Sequence, residues 1–231
     1  MNKKEKLALF LGMLSGDGCL PIKHSGEGYR DYAIQFYNTD KKIVLLFDDL
    51  FLDLYGINGK IGFDDRKNKK RLFNFCKYSK KIVQEIKDFG FPEGVKRDVL
   101  RIPKIIKDGK LNEKRAFCIG FLITDGCLRK TGSILFHSGS KYFLEELSAL
   151  ISEFTGNIKN IKEYTQREKY KSYQLNLNKK ETEILLSELP TWDNVPLIKN
   201  FRTLDLYRRF GCILYAKRVS EVQGECYLEV L

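Results

Sequence analysis

The sequence predicts an α+β fold built twice, as two pseudo-symmetric α-β-β-α-β-β-α units joined through a pair of like helices. Three observations predict it. An apolar run ending in Asp-Gly-Cys-Leu occurs twice, as FLGMLSGDGCL from Phe10 and as CIGFLITDGCL from Cys118. The segments that follow each run alternate and then recur with helical spacing in the same order. Each run, wound on a helix, also presents a stripe of very small residues.

The two copies match position by position. Gly12 corresponds to Gly120, Asp17 to Asp125, Gly18 to Gly126 and Cys19 to Cys127. Further on, AIQFYNTDKKIVLLFDDLFLDLYG resembles SILFHSGSKYFLEELSALISEFTG, with Phe36 opposite Phe136 and Gly56 opposite Gly156. LFNFCKYSKKIVQEI then parallels YQLNLNKKETEILLSEL, with Phe73 opposite Leu175, Asn74 opposite Asn176 and Lys77 opposite Lys179. The spacing between copies shortens because the first carries a longer loop, IKHSGEGYR. Similarity that persists through length changes marks duplication of a unit of about 100 residues, and a long repeat present only twice points to a pseudo-dimer rather than a solenoid.

Within the first unit the pattern predicts an apolar helix ending at Asp17-Gly18, strands near 19–23 and 29–38, and a helix over 41–54. Strands near 60–64 and 71–77 and a helix over 80–89 follow. The domain division that results is 1–108 for the first unit with its linker, 109–199 for the second, and 200–231 for a C-terminal extension. The linker, within GFPEGVKRDVLRIPKIIKDGKLNEKR, is rich in Gly, Pro and charge. The extension has no counterpart in the first unit. Phe201, Leu204, Phe210, Ile213 and Leu214 mark an amphipathic helix there, interspersed with Arg202, Arg208, Arg209 and Lys217.

Bulk composition narrows the partner. There are 41 Lys and Arg against 30 Asp and Glu, a formal net charge of +11. Such an excess suits a polyanion. A membrane surface is disfavoured because the basic residues are spread over strands and turns rather than along one amphipathic helix. No run approaches the roughly 18 apolar residues of a membrane span. The basic, then apolar N-terminus breaks at Ser15-Gly16-Asp17-Gly18 without a small-residue cleavage site, so it reads as a helix of the fold and the chain as intracellular. The six cysteines form no C-x-x-C pair and only His24 and His137 accompany them. Reduced, mostly buried thiols are therefore expected rather than a zinc site.

The repeated helix carries the chemistry. Ala8, Gly12 and Gly16 in the first copy, and Ala116, Gly120 and Thr124 in the second, fall four residues apart on one side. Glycine inside a helix costs about 1 kcal/mol against alanine. Close approach of two backbones gives a reason to keep it, so the helices are expected to pack stripe to stripe through Ala8, Gly12, Ala116 and Gly120. Parallel packing puts Asp17 and Asp125 side by side, each at the negative end of its helix. Two carboxylates so placed repel unless a cation lies between them. Carboxylates together with backbone carbonyls, here those of Gly16 and Thr124, suit Mg²⁺ or Mn²⁺. In a basic protein that arrangement points to phosphodiester hydrolysis.

FLGMLSGDG and CIGFLITDG resemble the two signature motifs of LAGLIDADG homing endonucleases in their single-chain, two-motif form, and the order of elements over roughly residues 5–200 fits. The resemblance implies saddle-shaped antiparallel sheets lying in the major groove of double-stranded DNA, with the motif helices as the central interface. It implies one metal-binding acidic residue per scissile strand, at Asp17 and Asp125. The often acidic sixth motif position is Ser15 and Ile123 here; the ligand position, the eighth, is intact in both copies. The resemblance also implies a basic residue after a unit's second helix and before a proline. Lys96 in GVKRDVLRIP matches, with Arg97 next to it, and its expected role is to polarise water or stabilise phosphorane charge. TWDNVPLIKN has no lysine at the equivalent distance before Pro196, a departure that speaks against symmetric catalysis: either the two strands are cut at different rates or another base serves.

Base reading falls to the strands. With Tyr32, Ile34 and Phe36 turned to the core, Ala33, Gln35 and Tyr37 face the groove. In the second copy Ile134 and Phe136 turn inward, leaving Leu135 and His137 outward, and Cys127 and Arg129 follow if Leu128 turns in. Lys23, Lys60, Asn74, Lys162 and Asn176 complete the expected DNA-contacting set. Arg66, in the basic turn DDRKNKKR, is expected at phosphate. The chain runs from Met1 to Val230-Leu231 without the nucleophile and His-Asn ends of a self-splicing intein, so it reads as a free-standing, intron-encoded monomer. An intron maturase bound to intron RNA and a non-cutting DNA-binding regulator are the other readings of the same fold; intact Asp17 and Asp125 favour cleavage.

Overall fold

The computed structural model describes residues 1–25, 29–65, 71–129, 131–166 and 170–186. It shows two antiparallel sheets, each backed by helices. In the first unit α1 (Lys3–Asp17) leads into β1 (Gly18–Cys19), β2 (Ile22–Ser25) and β3 (Tyr29–Asn38). Helix α2 (Lys41–Tyr55), strands β4 (Lys60–Asp64) and β5 (Leu72–Tyr78) and helix α3 (Lys80–Asp88) follow, with the short α4 (Lys104–Lys107) in the linker. The second unit runs α5 (Leu111–Asp125), β6 (Gly126–Leu128), β7 (Ile134–Ser138), α6 (Lys141–Thr155), β8 (Lys162–Gln166), β9 (Tyr170–Leu177) and α7 (Lys179–Leu186). The sheets have the same order, β1-β3-β5-β4 and β6-β7-β9-β8, with β2 added on β3 in the first.

Local chemistry explains the boundaries. Asn2 and Glu5 form a capping box at the start of α1. Helices α2 and α6 both end at a glycine in the left-handed region, Gly56 at φ 71° and Gly156 at φ 74°. The single strand expected near 19–23 is two pieces, because Pro21 has no N–H to continue a ladder. β1 pairs with Phe36 and Gln35, while β2 pairs further along β3.

The core is continuous across both units. Phe36 stacks on Phe47 at 4.2 Å, and Phe47 meets Phe10 at 4.8 Å and Phe75 at 5.1 Å, tying α1, α2 and the first sheet together. Phe121 plays the part of Phe10 in the second unit, against Phe136 and Phe143. The α1–α5 packing is the most extensive contact between any two elements. A side chain on Gly12 would run into the Phe117 carbonyl of α5, and one on Gly120 into the Leu9 carbonyl of α1. The reciprocity shows the small-residue stripes meeting face to face.

The strand registers correct one equivalence. Phe36 pairs with Phe75 and Phe136 with Leu175; Tyr37 pairs with Asn74 and His137 with Gln174. The counterpart of Asn74 is therefore Gln174, and that of Asn176 is Cys76. Side chains on a strand repeat every two residues, so a slip of two leaves the inside–outside pattern unchanged and invisible in sequence.

Candidate active site

Asp17 and Asp125 are the last residues of α1 and α5, and the helix packing brings their ends together. A Cβ on Gly16 would touch Thr124 and lie 3.4 Å from Asp125 Oδ2, so the second carboxylate reaches across to the end of the first helix. Both carboxyls are pushed up. Burial is the main cause for Asp17, the charge of Asp125 adds to it, and Asn38 and Lys96 work against it; the net result is about 6. Asp125 is raised by burial, with Lys96 and His137 opposing.

Asn38 was not among the expected site residues. Its side-chain amide donates to Asp17 Oδ2 at 2.6 Å, while its own carbonyl oxygen accepts from the Asp40 amide at 2.8 Å. It therefore ties the carboxylate to the N-terminal cap of α2. Asn38 follows Phe36 by two residues, which puts it on the helix side of β3. A polar residue on the core side of a strand is the signal that could have found it. Ser138 stands at the equivalent place, and its hydroxyl accepts from the Ser140 amide instead.

Lys96 sits at the end of α1. Its ammonium donates to the carbonyls of Leu14 at 3.2 Å, Ser15 at 2.8 Å and Gly18 at 2.7 Å, and to that of Gly16. Burial lowers its proton affinity, and the charges of Asp125 and Asp17 raise it. The linker delivers it through a turn at Gly94, at φ 71°, whose amide donates to the Leu20 carbonyl at 2.8 Å. Arg97 turns away, donating to the Lys171 carbonyl of the second sheet. The linker then runs along α6, where the Ile102 amide and the Lys107 ammonium both bond Glu146.

Among the described residues, no group of three or more His, Cys, Asp or Glu is arranged to hold a metal ion. The two aspartates still fit a divalent ion of the Mg²⁺ type, which needs only one or two carboxylates and takes its remaining oxygens from water and phosphate. Of the two expected carbonyl donors, that of Gly16 is engaged by Lys96.

The sheet faces turned away from the helices are set by the registers. Cys19, Gln35, Cys76 and Lys60 form one row across the first sheet, and Tyr37, Asn74 and Gly62 the next. Within them the Tyr37 hydroxyl donates to Gln35 Oε1 at 2.8 Å. In the second sheet Cys127, Leu135 and Asn176 form one row, and His137, Gln174 and Lys162 another. Gln174 lies beside two expected contacts and was missed through the slipped equivalence. Ala33 and Leu135 share this side but are buried, at 1% and 7% exposure, and offer a partner little surface. Cys127 and Arg129 are exposed and Leu128 packs on the core. Arg66 lies outside the described residues, as does the expected C-terminal helix; of Lys23 only the backbone, on β2, is described.

The family model described as a LAGLIDADG-like domain matches residues 112–190, within the second unit. Over most of its length the chain shares its fold with the homing endonuclease I-DmoI. The structure of I-DmoI in complex with DNA and Ca superposes with a TM-score of 0.65 at 18% identity, covering 89% of this chain and 99% of that one. I-WcaI bound to its DNA recognition sequence gives 0.53 at 16% identity, over 80% of each chain. Among curated proteins, an A-type ATP synthase subunit from Pyrococcus abyssi is 29% identical over 53% of this chain. The probable translation initiation factor IF-2 of Methanocaldococcus jannaschii is 26% identical over 77%. The matches span only 11% and 14% of those relatives' own lengths. No helix among the described residues is long and apolar enough to cross a membrane.

Proposed function

We propose that this chain is a site-specific double-strand DNA endonuclease that hydrolyses phosphodiester bonds with a divalent metal, Mg²⁺ or Mn²⁺, at a long asymmetric target. The observation that carries the reading is the pairing of two half-buried carboxylates at the ends of two packed helices, where each helix passes into its own sheet. Burial pushes both aspartates up, Asp125 adds to this at Asp17, and the single charge of Lys96 does not offset it; a divalent ion shared with a phosphate oxygen would supply the rest. Asp17 and Asp125 would hold the ion, whose chemistry is to activate water and neutralise charge on phosphate and leaving oxygen. Asn38 holds Asp17 in one direction, and Lys96 keeps positive charge beside both carboxylates. Lys60, Gln35, Tyr37 and Asn74 on one sheet, with His137, Lys162, Gln174 and Asn176 on the other, would face base edges and phosphates. Because the two rows differ, the two halves of the target would differ as well.

The fold supports the same reading: the neighbours I-DmoI and I-WcaI were seen with DNA. The division at residues 108 and 199 and the monomeric state belong to this proposal.

Plasmid carrying the uninterrupted version of the chain's own locus tests it. The expected result is one linear product that requires Mg²⁺ or Mn²⁺ and disappears with Asp17→Asn or Asp125→Asn, while both variants still bind the DNA. Binding without cutting under every metal condition would replace the nuclease reading with a regulator. Binding confined to intron RNA would replace it with a maturase.

A further inference from the structure

We infer that Lys96 is a positioning residue that clamps the C-terminal turn of α1 and so fixes the direction of Asp17, and that among the described residues α5 has no such clamp. Only the metal arm of the test below rests on the nuclease reading.

An ammonium group has three protons and no acceptor. Lys96 turns its protons to four carbonyls, those of Leu14, Ser15, Gly16 and Gly18. No proton is left for a water or a phosphate oxygen. The acceptors have their own need. The last carbonyls of a helix have no amide four residues on, and they carry the negative end of the helix dipole. Here only the Gly18 amide returns to the turn, bonding Leu14. A cation is the matching cap, but a carboxylate, Asp17, terminates this helix instead. Lys96 supplies the cation from a distant part of the chain.

The clamp acts on Asp17 through the backbone. Gly16 and Gly18 flank Asp17, and both of their carbonyls are held. The Gly16 carbonyl fixes the peptide before Asp17, the Gly18 amide bonded to Leu14 fixes the peptide after it, the Gly18 carbonyl holds the next one, and Asn38 holds the carboxylate at 2.6 Å. Glycines in these places have the widest backbone freedom of any residue, so without the clamp the turn has little to define it. The second unit has Gly126 after Asp125 in the same way, yet TWDNVPLIKN holds no lysine at the equivalent distance before Pro196. The asymmetry lies in how firmly each aspartate is presented.

A positioning role and a direct role differ in sign. If Lys96 only contributed charge beside the aspartates, removing it would strengthen divalent binding, because a like charge would be gone. If it positions Asp17, removing it weakens binding, as losing a support of a metal ligand typically does by about tenfold or more.

The test uses the full chain as wild type, Lys96→Met and Lys96→Gln, without DNA. Hydrogen exchange read by mass spectrometry compares peptides covering residues 14–20 with those covering 122–128, and Mn²⁺ binding is followed by electron paramagnetic resonance. Lys96→Met is expected to speed exchange in 14–20 more than in 122–128, and to weaken Mn²⁺ about tenfold. Lys96→Gln, which keeps two donors, should fall between. Unchanged exchange at 14–20, or tighter Mn²⁺ binding, overturns the clamp. If Lys96→Met does not fold, Lys96→Gln against wild type makes the same comparison. A wild type that binds no Mn²⁺ counts against the nuclease reading, while the exchange result still decides the clamp.

Discussion

Asp17→Asn should stabilise the metal-free protein, increasingly as pH rises from about 4 to about 6 and fully above that. The Asp17 carboxyl is raised from 3.8 to about 6, first by burial and then by Asp125. The folded protein therefore holds this proton more tightly than the unfolded chain. Stability falls as pH rises from about 4 to about 6, and above that the penalty is complete. A shift of this size corresponds to at most roughly 3 kcal/mol at pH 8. Asparagine carries no charge at any pH and keeps an oxygen to accept from Asn38. In a chain of this length, 1 kcal/mol moves Tm by about 2–4 °C, so the variant should melt up to about 10 °C higher at pH 8. At pH 4, where Asp17 is protonated in the folded chain and only about half ionised in the unfolded one, the difference should shrink to a small fraction of that. Asp125→Asn should also relieve Asp17, so the double variant should gain less than the sum of the singles. The assay is thermal unfolding by circular dichroism in EDTA at pH 4 and pH 8, repeated with Mn²⁺. Wild type should recover stability with the ion and Asp17→Asn should not. A variant no more stable than wild type at pH 8, or equally shifted at both pH values, would refute the argument that burying the Asp17 carboxylate strains this site.

Gly12→Val should cost at least about 3 kcal/mol, since the side chain meets the Phe117 carbonyl and backbone cannot swing away as a side chain can; urea unfolding reads it, and Gly120→Val against the Leu9 carbonyl should match it. Gly94→Ala, at φ 71° and 3.0 Å from the Ile22 side chain, should disturb the turn that delivers Lys96 and reproduce part of the Lys96→Met exchange pattern. If the groove faces contact DNA, Lys162→Ala should lower the slope of log affinity against log salt by about 1, whereas Gln174→Ala should relax base preference at one position and leave the slope alone. Filter binding across a salt series and a single-position target library read these two outcomes.

Much of the fold was legible because duplication wrote it twice. Matched glycines on matched helices defined the α1–α5 interface, and the end of each run identified Asp17 and Asp125. Alternation gave the outward faces of β3 and β7, with Gln35, Tyr37 and His137 turned away from the core. Legibility stopped where the physics has no local period. A two-residue slip preserves alternation, so sequence matching paired Asn74 with Asn176, and only the hydrogen-bonded ladder paired β9 correctly and brought Gln174 beside His137. Asn38 reads as the end of a strand until α1 is laid over it.

By itself, then, the sequence determined the repeat, the helix faces and the identity of the two carboxylates, because each rests on spacing within one element. The tertiary structure alone decided what holds those carboxylates. The Asn38 amide comes to Asp17 from the far end of a strand, and Lys96 reaches α1 from beyond α3 on a linker turned by Gly94. Such contacts join residues far apart in the chain, and their energy lies in satisfying carbonyls and charges that become buried only once the helices have packed.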